Sequence, residues 1–212
     1  ACHLYKAIGS SKPVNISKDI PKTGYKIREL DINISEPKNM MLAKEEPTWA
    51  TGDQLVGKLY RSQWNNDTLY WQDITGNLGL LAWKTVGGIT SDDENPNRVW
   101  VCLYGSARED GLFTVFYSNN RGDSWTDMSQ GLTFYNTYAI EHVKGSREAL
   151  FLATDGGVYF RNHKSNKWVH LKGKLPEIMV KSLSINYNKR RLIVGTYGSG
   201  VWEMKIPRRM MK

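Results

Sequence analysis

A two-residue motif, an aliphatic residue followed by an aromatic one, recurs along the chain of 212 residues. Its copies begin 55, 56, 43 and 43 residues apart, at Leu4-Tyr5, Leu59-Tyr60, Val115-Phe116, Val158-Tyr159 and Val201-Trp202. Each later copy follows an apolar run that ends in small residues. The three middle copies precede a segment that begins with tryptophan. Self-similarity at a period of about 20–50 residues is typical of stacked repeat units, so this feature constrains the fold more than composition does.

Each repeat contains four short segments with the pattern of β-strands. A segment in which apolar and polar residues alternate precedes the apolar run, and Gly, Asn, Asp and Pro separate the segments. No stretch shows helical periodicity. Four antiparallel strands in a unit of about 43 residues match the blade of a β-propeller, in which small twisted sheets stack around an axis. The two longer steps are then explained by loop insertions, which we expect at Lys44–Val56 and Ser106–Leu112. The sequence therefore predicts an all-β propeller, with strands lettered A to D from the axis outwards.

The order of strands predicts how many blades the chain contains. It begins with strand C at Leu4-Tyr5 and strand D at Val14-Asn15-Ile16, continues through three complete blades, and closes with strands A, B and C. The expected propeller segment is 1–206, with blade parts at about 1–20, 25–76, 84–131, 137–175 and 178–206, followed by a basic tail at 207–212. Because strand C occurs at both ends, we expect four to five blades of a larger propeller, completed by remaining blades or a partner chain. A closed five-unit ring is the alternative.

One turn has a recognisable motif. Ser118-Asn119-Asn120-Arg121-Gly122-Asp123-Ser124-Trp125 fits the pattern Ser-x-Asp-x-Gly-x-x-Trp, with Asn120 in place of Asp. This resembles the BNR/Asp-box repeats of sialidases, sortilin-like receptors and xyloglucan-cleaving glycosidases. We expect a turn between strands C and D in which Asn120 caps backbone N–H groups, Gly122 has positive φ and Trp125 is largely buried. Ser118, Asn120, Gly122 and Trp125 are thus structural residues, and Trp71 and Trp168 should occupy equivalent places.

A second resemblance covers about residues 57–206. The segment Gly195-Thr196-Tyr197-Gly198-Ser199-Gly200-Val201-Trp202-Glu203 is similar to the end of the last blade in large secreted proteins of Bacteroidota-type bacteria. The resemblance implies a secreted or cell-surface protein whose partner is a glycan or another protein at the cell surface.

Charge and apolar content argue against two other classes. Lys and Arg number 29 against 21 Asp and Glu, a formal net charge of +8, but the basic residues are dispersed rather than gathered into a patch for nucleic acid. No apolar stretch approaches the roughly 20 residues of a membrane-spanning helix. Cys2 and Cys102 lack metal-ligand spacing; Cys102 is expected to be a small buried residue, and whether the two pair stays open.

Several residues are of types that could carry chemistry. Arg121-Gly122-Asp123 spells an integrin-type tripeptide, but it lies inside the Asp-box turn, and Asp92-Asp93-Glu94 is interpreted as an exposed acidic turn rather than half of a calcium site. No metal or cofactor is expected. Glycosidases need two carboxylates close together. The acidic residues near strands are Asp155, Glu141 and Glu203, and the sequence pairs none of them.

The sequence thus favours a non-catalytic binding or scaffolding module. The alternative is part of a glycoside hydrolase, sialidase-like or xyloglucanase-like, whose carboxylates lie partly outside this segment. Trp49 and Trp64 are the candidate ligand platforms, because both fall in loop-like inserts outside the repeat. The competing interpretation is that each packs under its own loop.

Overall fold

The computed structural model of the chain describes residues 4–6, 10, 12–17, 20, 26–48, 54–78, 84–105, 114–132, 136–173 and 175–211. Within these ranges the strands form five antiparallel sheets, which we call blades 1 to 5 in chain order. In each blade the strand order in space equals the order in the sequence. This is the all-β, four-stranded architecture that the sequence predicts.

The blades differ in how many strands the described residues contribute. Blade 1 contains β1 (Tyr5–Lys6) and β2 (Val14–Asn15). Blade 2 contains β3 (Lys26–Ile32), β4 (Met40–Thr48), β5 (Gln54–Asn65) and β6 (Thr68–Asp73). Blade 3 contains β7 (Thr85–Ser91), β8 (Val99–Tyr104), β9 (Val115–Ser118) and β10 (Thr126–Asp127). Blade 4 contains β11 (Thr137–His142), β12 (Leu150–Thr154), β13 (Gly157–Asn162) and β14 (Ser165–His170). Blade 5 contains β15 (Val180–Asn186), β16 (Arg191–Thr196) and β17 (Val201–Lys205). β1 and β17, the strands at the two ends, lie in separate sheets.

The second strand of each complete blade is the most deeply buried. All five residues of β12 are buried, and so are the first five of β8. A strand covered on both faces carries a continuous apolar run instead of an alternating one, which explains the apolar segments seen in the sequence. The hydrophobic core lies between consecutive blades, in four layers centred on Tyr60, Val101, Leu152 and Leu192.

A hydroxyl closes the outer hairpin in blades 1 to 3. Ser17, Thr75 and Ser129 each donate to the side-chain oxygen of the residue two positions earlier, at 2.8, 2.5 and 2.5 Å. Each hydroxyl also accepts from a backbone N–H on the side of the neighbouring strand, from Leu4, Leu59 and Val115, at 3.1 Å in each case. Blade 1 therefore has the same outer edge as the two complete blades that follow it.

One expectation about an irregular segment was wrong. The insert at residues 44–56 was expected to be a loop, but β4 continues to Thr48 and β5 begins at Gln54, so the two strands extend as a hairpin with pairs up to Thr48 and Gln54. In the basic tail, Arg208–Met210 forms a 3₁₀ helix, and Met210 packs against the core layer between blades 4 and 5. Cys2 and the insert at 106–112 lie outside the described residues.

Among the residues described, no helix has the length and apolar character that crossing a membrane requires.

Candidate functional site

The turn at Ser118–Trp125, whose sequence resembles an Asp-box, is held together by Ser118 and Asn120. The Ser118 hydroxyl accepts from the backbone N–H of Gly122 at 2.7 Å and donates to Asn120 Oδ1 at 2.8 Å. Asn120 Oδ1 also accepts from the N–H of Ser124 at 3.0 Å, the capping bond expected of an Asp at this position. Gly122 has a φ of 87°, in the left-handed region that the turn needs.

Tryptophans at equivalent positions connect the outer edges of neighbouring blades. Trp71 Nε1 donates to the carbonyl of Ile16 and Trp168 Nε1 to the carbonyl of Met128, both at 2.7 Å. Trp125 packs partly buried against the layer that contains Ile74, but its buried Nε1 has no hydrogen-bond partner among the described residues. Trp125 is more exposed than Trp71 and Trp168, which are 7% and 3% exposed.

The Arg121-Gly122-Asp123 tripeptide forms a contact between blades. Arg61 on β5 donates from Nη1 to the carbonyl of Arg121 at 3.0 Å, and its Nη2 lies 2.8 Å from Asp123 Oδ1. Arg61 is buried, while Asp123 keeps much of its surface exposed. The tripeptide thus has a structural role at the interface of blades 2 and 3.

Trp64 lies on a strand, not on a loop as expected. It is half-buried near the end of β5 and donates from Nε1 to the carbonyl of Lys38 at 2.8 Å. The Lys38 ammonium lies 5.2 Å from the centroid of the Trp64 ring. Trp64 borders a cavity of about 560 Å³ between blades 1 and 2, together with Tyr5, Leu30, Ile32 and Met40. Trp49 lies outside the described residues.

The four inner strands share a bulge near their beginnings. The antiparallel register shifts between Ile27 and Glu29 in β3, and at the corresponding places in β7, β11 and β15. A β-bulge leaves one residue without a partner on the neighbouring strand and redirects its side chain. The bulged positions are Arg28, Gly87, Tyr138 and Lys181.

These four residues line one cavity of about 310 Å³, together with Glu29, Val86 and Tyr104. Because blades 2 to 5 each contribute a residue, the cavity lies where the inner strands come together, and we call it the axial cavity. Gly88 permits this approach, since a Cβ there would lie 2.9 Å from Cα of Ala139 on the next inner strand. The repeated bulge therefore builds a ring of side chains at one end of the inner strands.

Two tyrosines and two cations dominate the axial cavity. The ring centroids of Tyr104 and Tyr138 are 5.2 Å apart. The Lys181 ammonium lies 3.5 Å from the centroid of Tyr138 and 5.6 Å from that of Tyr104. The Arg28 guanidinium lies 5.9 Å from the centroid of Tyr104, and its Nε donates to Glu45 Oε1 at 2.6 Å. Such contacts combine apolar ring faces with fixed charges.

Asn136 and Asp155 support Tyr138. Asn136 Nδ2 donates to Asp155 Oδ2 at 3.1 Å, and Asn136 Oδ1 accepts from the N–H of Gly105 at 3.3 Å. Burial, followed by the Asp155 carboxylate, raises the pKa of Tyr138 to about 12, so its hydroxyl stays protonated and available as a donor. Asp155 Oδ1 is buried without a hydrogen-bond partner in the described part of the chain. Asp155 thus has unused acceptor capacity close to the cavity.

The acidic residues considered in the sequence are dispersed. Asp155 is near the axial cavity, Glu203 lies on the outer strand β17, and Glu141 lies towards the other end of the inner strands. Burial, followed by the Asp31 and Asp93 carboxylates, raises the pKa of Glu141 to about 7. Burial also raises the pKa of Asp31 to about 6 against the hydrogen bonds from Ser91. Glu141 and Asp31 therefore influence each other electrostatically, whereas Asp155 and Glu203 are not part of this group.

The acidic turn and the histidines have structural partners. Asp92 is buried and accepts from Arg98 Nη1 at 2.7 Å. His142 stacks on Trp100 with centroids 4.7 Å apart, and the His170 and Tyr159 rings are 5.0 Å apart. In the ranges that the structure describes, no group of three or more His, Cys, Asp or Glu side chains is arranged to hold a metal ion. Cys102 is a free, buried thiol, and burial raises its pKa to about 12.

The axial cavity is not predictable from the sequence of any single repeat, because no single repeat contains it. Arg28, Gly87, Tyr138 and Lys181 share a repeat position but not a residue type. What these residues share in the sequence is their position: each is the second or third residue of the first strand of its repeat. An alignment of the repeats by structure would have identified them as one ring.

Comparisons with known proteins support the fold alone. No family model matches the chain, and no curated protein matches it. Among solved structures, Sqt1 from Chaetomium thermophilum has a TM-score of 0.56 with 12% identity, over 89% of this chain and 45% of that chain. The GH74 xyloglucanase from Xanthomonas campestris has a TM-score of 0.55 with 11% identity, over 84% and 29%. The extracellular domain of the putative hybrid two component system BT4673 from B. thetaiotaomicron has a TM-score of 0.50 with 11% identity, over 97% and 31%.

The fold is a β-propeller. The chain spans less than half the length of each of these structures. The turn at Ser118–Trp125 is a local feature of blade 3, and the propeller architecture does not depend on assigning the chain to a repeat family.

Proposed function

We propose that this propeller segment is a non-catalytic binding module of the cell surface or extracellular space, and that its axial cavity binds a carbohydrate. The observation that carries the proposal is the ring of bulged residues, which brings Tyr138 beside Tyr104 of β8 and places several hydrogen-bonding groups in the same cavity. Bulges recur at sites where a side chain must be redirected. Here they occur at the same position in four successive blades.

The chemistry of the cavity suits a sugar. Tyrosine rings offer flat apolar surface for the C–H face of a pyranose, and their hydroxyls offer hydrogen bonds. Glu29 lines the cavity, so its carboxylate can accept from sugar hydroxyls. A volume of about 310 Å³ lies within the usual range for small-ligand sites.

Two of the similar structures are consistent with this environment. One is a xyloglucanase and another is an extracellular domain. At 11% identity these likenesses support the fold, and the carbohydrate and the extracellular location remain our proposals for this chain. A protein at the cell surface, remaining blades or a partner chain would bind elsewhere, for example at the cavity beside Trp64.

The decisive experiment is a glycan array followed by calorimetry on the sugars that bind. Tyr138→Ala should weaken binding about tenfold or more, because stacking and a hydrogen bond are both lost. Tyr70→Ala is the matched control, since Tyr70 is an exposed tyrosine on the outer strand β6. Equal affinity of the two variants would place the ligand outside the axial cavity, and the absence of any bound glycan would remove the proposal.

A hydrolase is the second candidate, favoured by Glu141 and Asp31. Glycosidases use two carboxyl groups close together, one of them a general acid of raised pKa. Burial, followed by the Asp31 carboxylate, raises the pKa of Glu141 to about 7, as a general acid requires. A screen with chromogenic glycosides tests this candidate directly. Turnover that Glu141→Gln abolishes and Glu177→Gln leaves intact would establish hydrolysis, and absence of turnover would leave the binding module.

A further inference from the structure

The axial cavity contains two cations that face the same aromatic ring. Arg28 on β3 and Lys181 on β15 lie 5.9 and 5.6 Å from the centroid of Tyr104. Both are bulged residues whose side chains line the cavity. The cavity thus holds two like charges, contributed by the blades at the two ends of the four-blade series.

The two cations differ in their partners. Arg28 is paired with the buried Glu45, whereas among the described residues no carboxylate lies within ion-pair distance of Lys181. Burial and then the Arg28 guanidinium lower the pKa of Lys181, and Asp155 only partly opposes them. Glu29 also lines the cavity; burial raises its pKa, and the Asp31 carboxylate raises it further. The surroundings of Lys181 therefore favour an additional negative group between the two cations.

We propose that the ligand of the axial cavity is an acidic sugar whose carboxylate lies between Arg28 and Lys181. This inference rests on the proposed carbohydrate-binding function and specifies its substrate class. A guanidinium presents a planar fork that matches a carboxylate, and an ammonium adds a point charge. Because both cations are close to Tyr104, a carboxylate between them brings the sugar ring beside that tyrosine. Glu29 is then an acceptor for the sugar hydroxyls.

The test uses short oligomers of galacturonic, glucuronic and mannuronic acid, each as the free acid and as the neutral methyl ester. Each pair has the same sugar ring and differs only in charge. Calorimetry should show that at least one free acid binds about tenfold or more tightly than its ester. Its affinity should fall with added salt, as expected for an ionic contact.

Lys181→Met should reduce the preference for the acid to less than about threefold, since the partner charge is lost while the stem of the side chain is kept. Lys189→Met is the matched control, an exposed lysine in the turn between β15 and β16, and should retain the full preference. Lys181 is itself exposed, so its variant is expected to fold, and a urea denaturation curve checks this.

Several outcomes would overturn the inference. If the acid and its ester bind equally well, and Tyr138→Ala abolishes binding of both, the cavity binds carbohydrate but has no preference for an acidic one. Binding of sulfated oligosaccharides but of no uronic acid would replace the carboxylate by a sulfate. Binding of triglutamate as tight as that of the acids would assign the site to acidic peptides. Failure of every sugar, neutral or acidic, would remove both the inference and the proposed function.

Discussion

A single hydroxyl holds the outer hairpin of a blade closed. Ser129 illustrates the arrangement, because its Oγ donates to Asp127 Oδ1 and accepts from the N–H groups of Thr114 and Val115. All of these bonds are buried or partly buried, so water does not replace them easily. The same three-residue pattern, Asn or Asp followed two positions later by Ser or Thr, occurs in blades 1 and 2. Local side-chain chemistry thus defines where each outer strand ends.

Removing this hydroxyl should destabilise the protein measurably. Ser129→Ala leaves the N–H groups of Thr114 and Val115 and the Asp127 carboxylate without their shared partner. We expect the free energy of unfolding to fall by about 1–3 kcal/mol. Urea denaturation followed by tryptophan fluorescence measures the change, with Ser199→Ala in an exposed turn as the control. Identical midpoints for the two variants would contradict the structural role of the hydroxyl.

Glu141 should make stability depend on pH. In the folded protein its pKa is about 7, raised by burial and by Asp31 and Asp93, whereas the unfolded value is near the ordinary 4.5. The folded state therefore binds more protons between these pH values, and stability declines as pH rises through this window.

Glu141→Gln should flatten this decline. At pH 8 the variant should be more stable than the parent by on the order of 1–2 kcal/mol, and below pH 4 the benefit should vanish. Urea midpoints from pH 4 to 8 test it, with the exposed Glu177→Gln as the control. A parallel pH profile in parent and Glu141→Gln would contradict the assignment of the raised pKa.

At the scale of elements, the repeat predicted the order of strands but not their lengths or bulges. The apolar runs at Val99 and Leu150 became central strands because burial on both faces selects continuous apolar sequence. The insert at 44–56 carries no such pattern, so its sequence does not predict that β4 continues to Thr48 and that β5 begins at Gln54. Trp64, outside this insert, lies on β5 because that strand continues to Asn65. The bulges could not be predicted from the sequence for another reason. A bulge is defined by the register between two strands, and the sequence of one strand does not encode that register.

The inter-blade tryptophans offer a matched pair of variants. Trp168→Phe removes the hydrogen bond from Nε1 to the carbonyl of Met128, and should lower the free energy of unfolding by about 1–3 kcal/mol. Trp125→Phe makes the same change in ring size but removes a buried N–H that has no partner among the described residues. We therefore expect a smaller loss, measured by urea denaturation. A larger loss in Trp125→Phe than in Trp168→Phe would contradict the assigned hydrogen bonding.

At the scale of the whole molecule, the core and the candidate site have different origins. The core is divided into layers between blades, and each layer can be predicted from the apolar runs of the two blades that enclose it. The axial cavity needs four inner strands at once, and it takes a different residue type from each. Sequence reasoning therefore recovers the stacking of blades, while the site emerges only when the stack places Arg28, Tyr138 and Lys181 around one space.

The close approach of the inner strands should be sensitive to a single methyl group. A Cβ at Gly88 would lie 2.9 Å from Cα of Ala139 and 3.0 Å from the backbone nitrogen of Ile140, so Gly88→Ala must separate β7 from β11. We expect a loss of about 1–3 kcal/mol in the free energy of unfolding. Gly173→Ala is the control, because a Cβ there would meet only Met204 Cε at 4.0 Å.

Gly88→Ala should also weaken binding of any ligand of the axial cavity, because Tyr138 and Gly87 lie on the separated strands. Calorimetry under conditions where the variant stays folded measures this effect. A Gly88→Ala protein with the stability and affinity of the control would mean that the inner strands are not as closely packed around the axis as the structure has them.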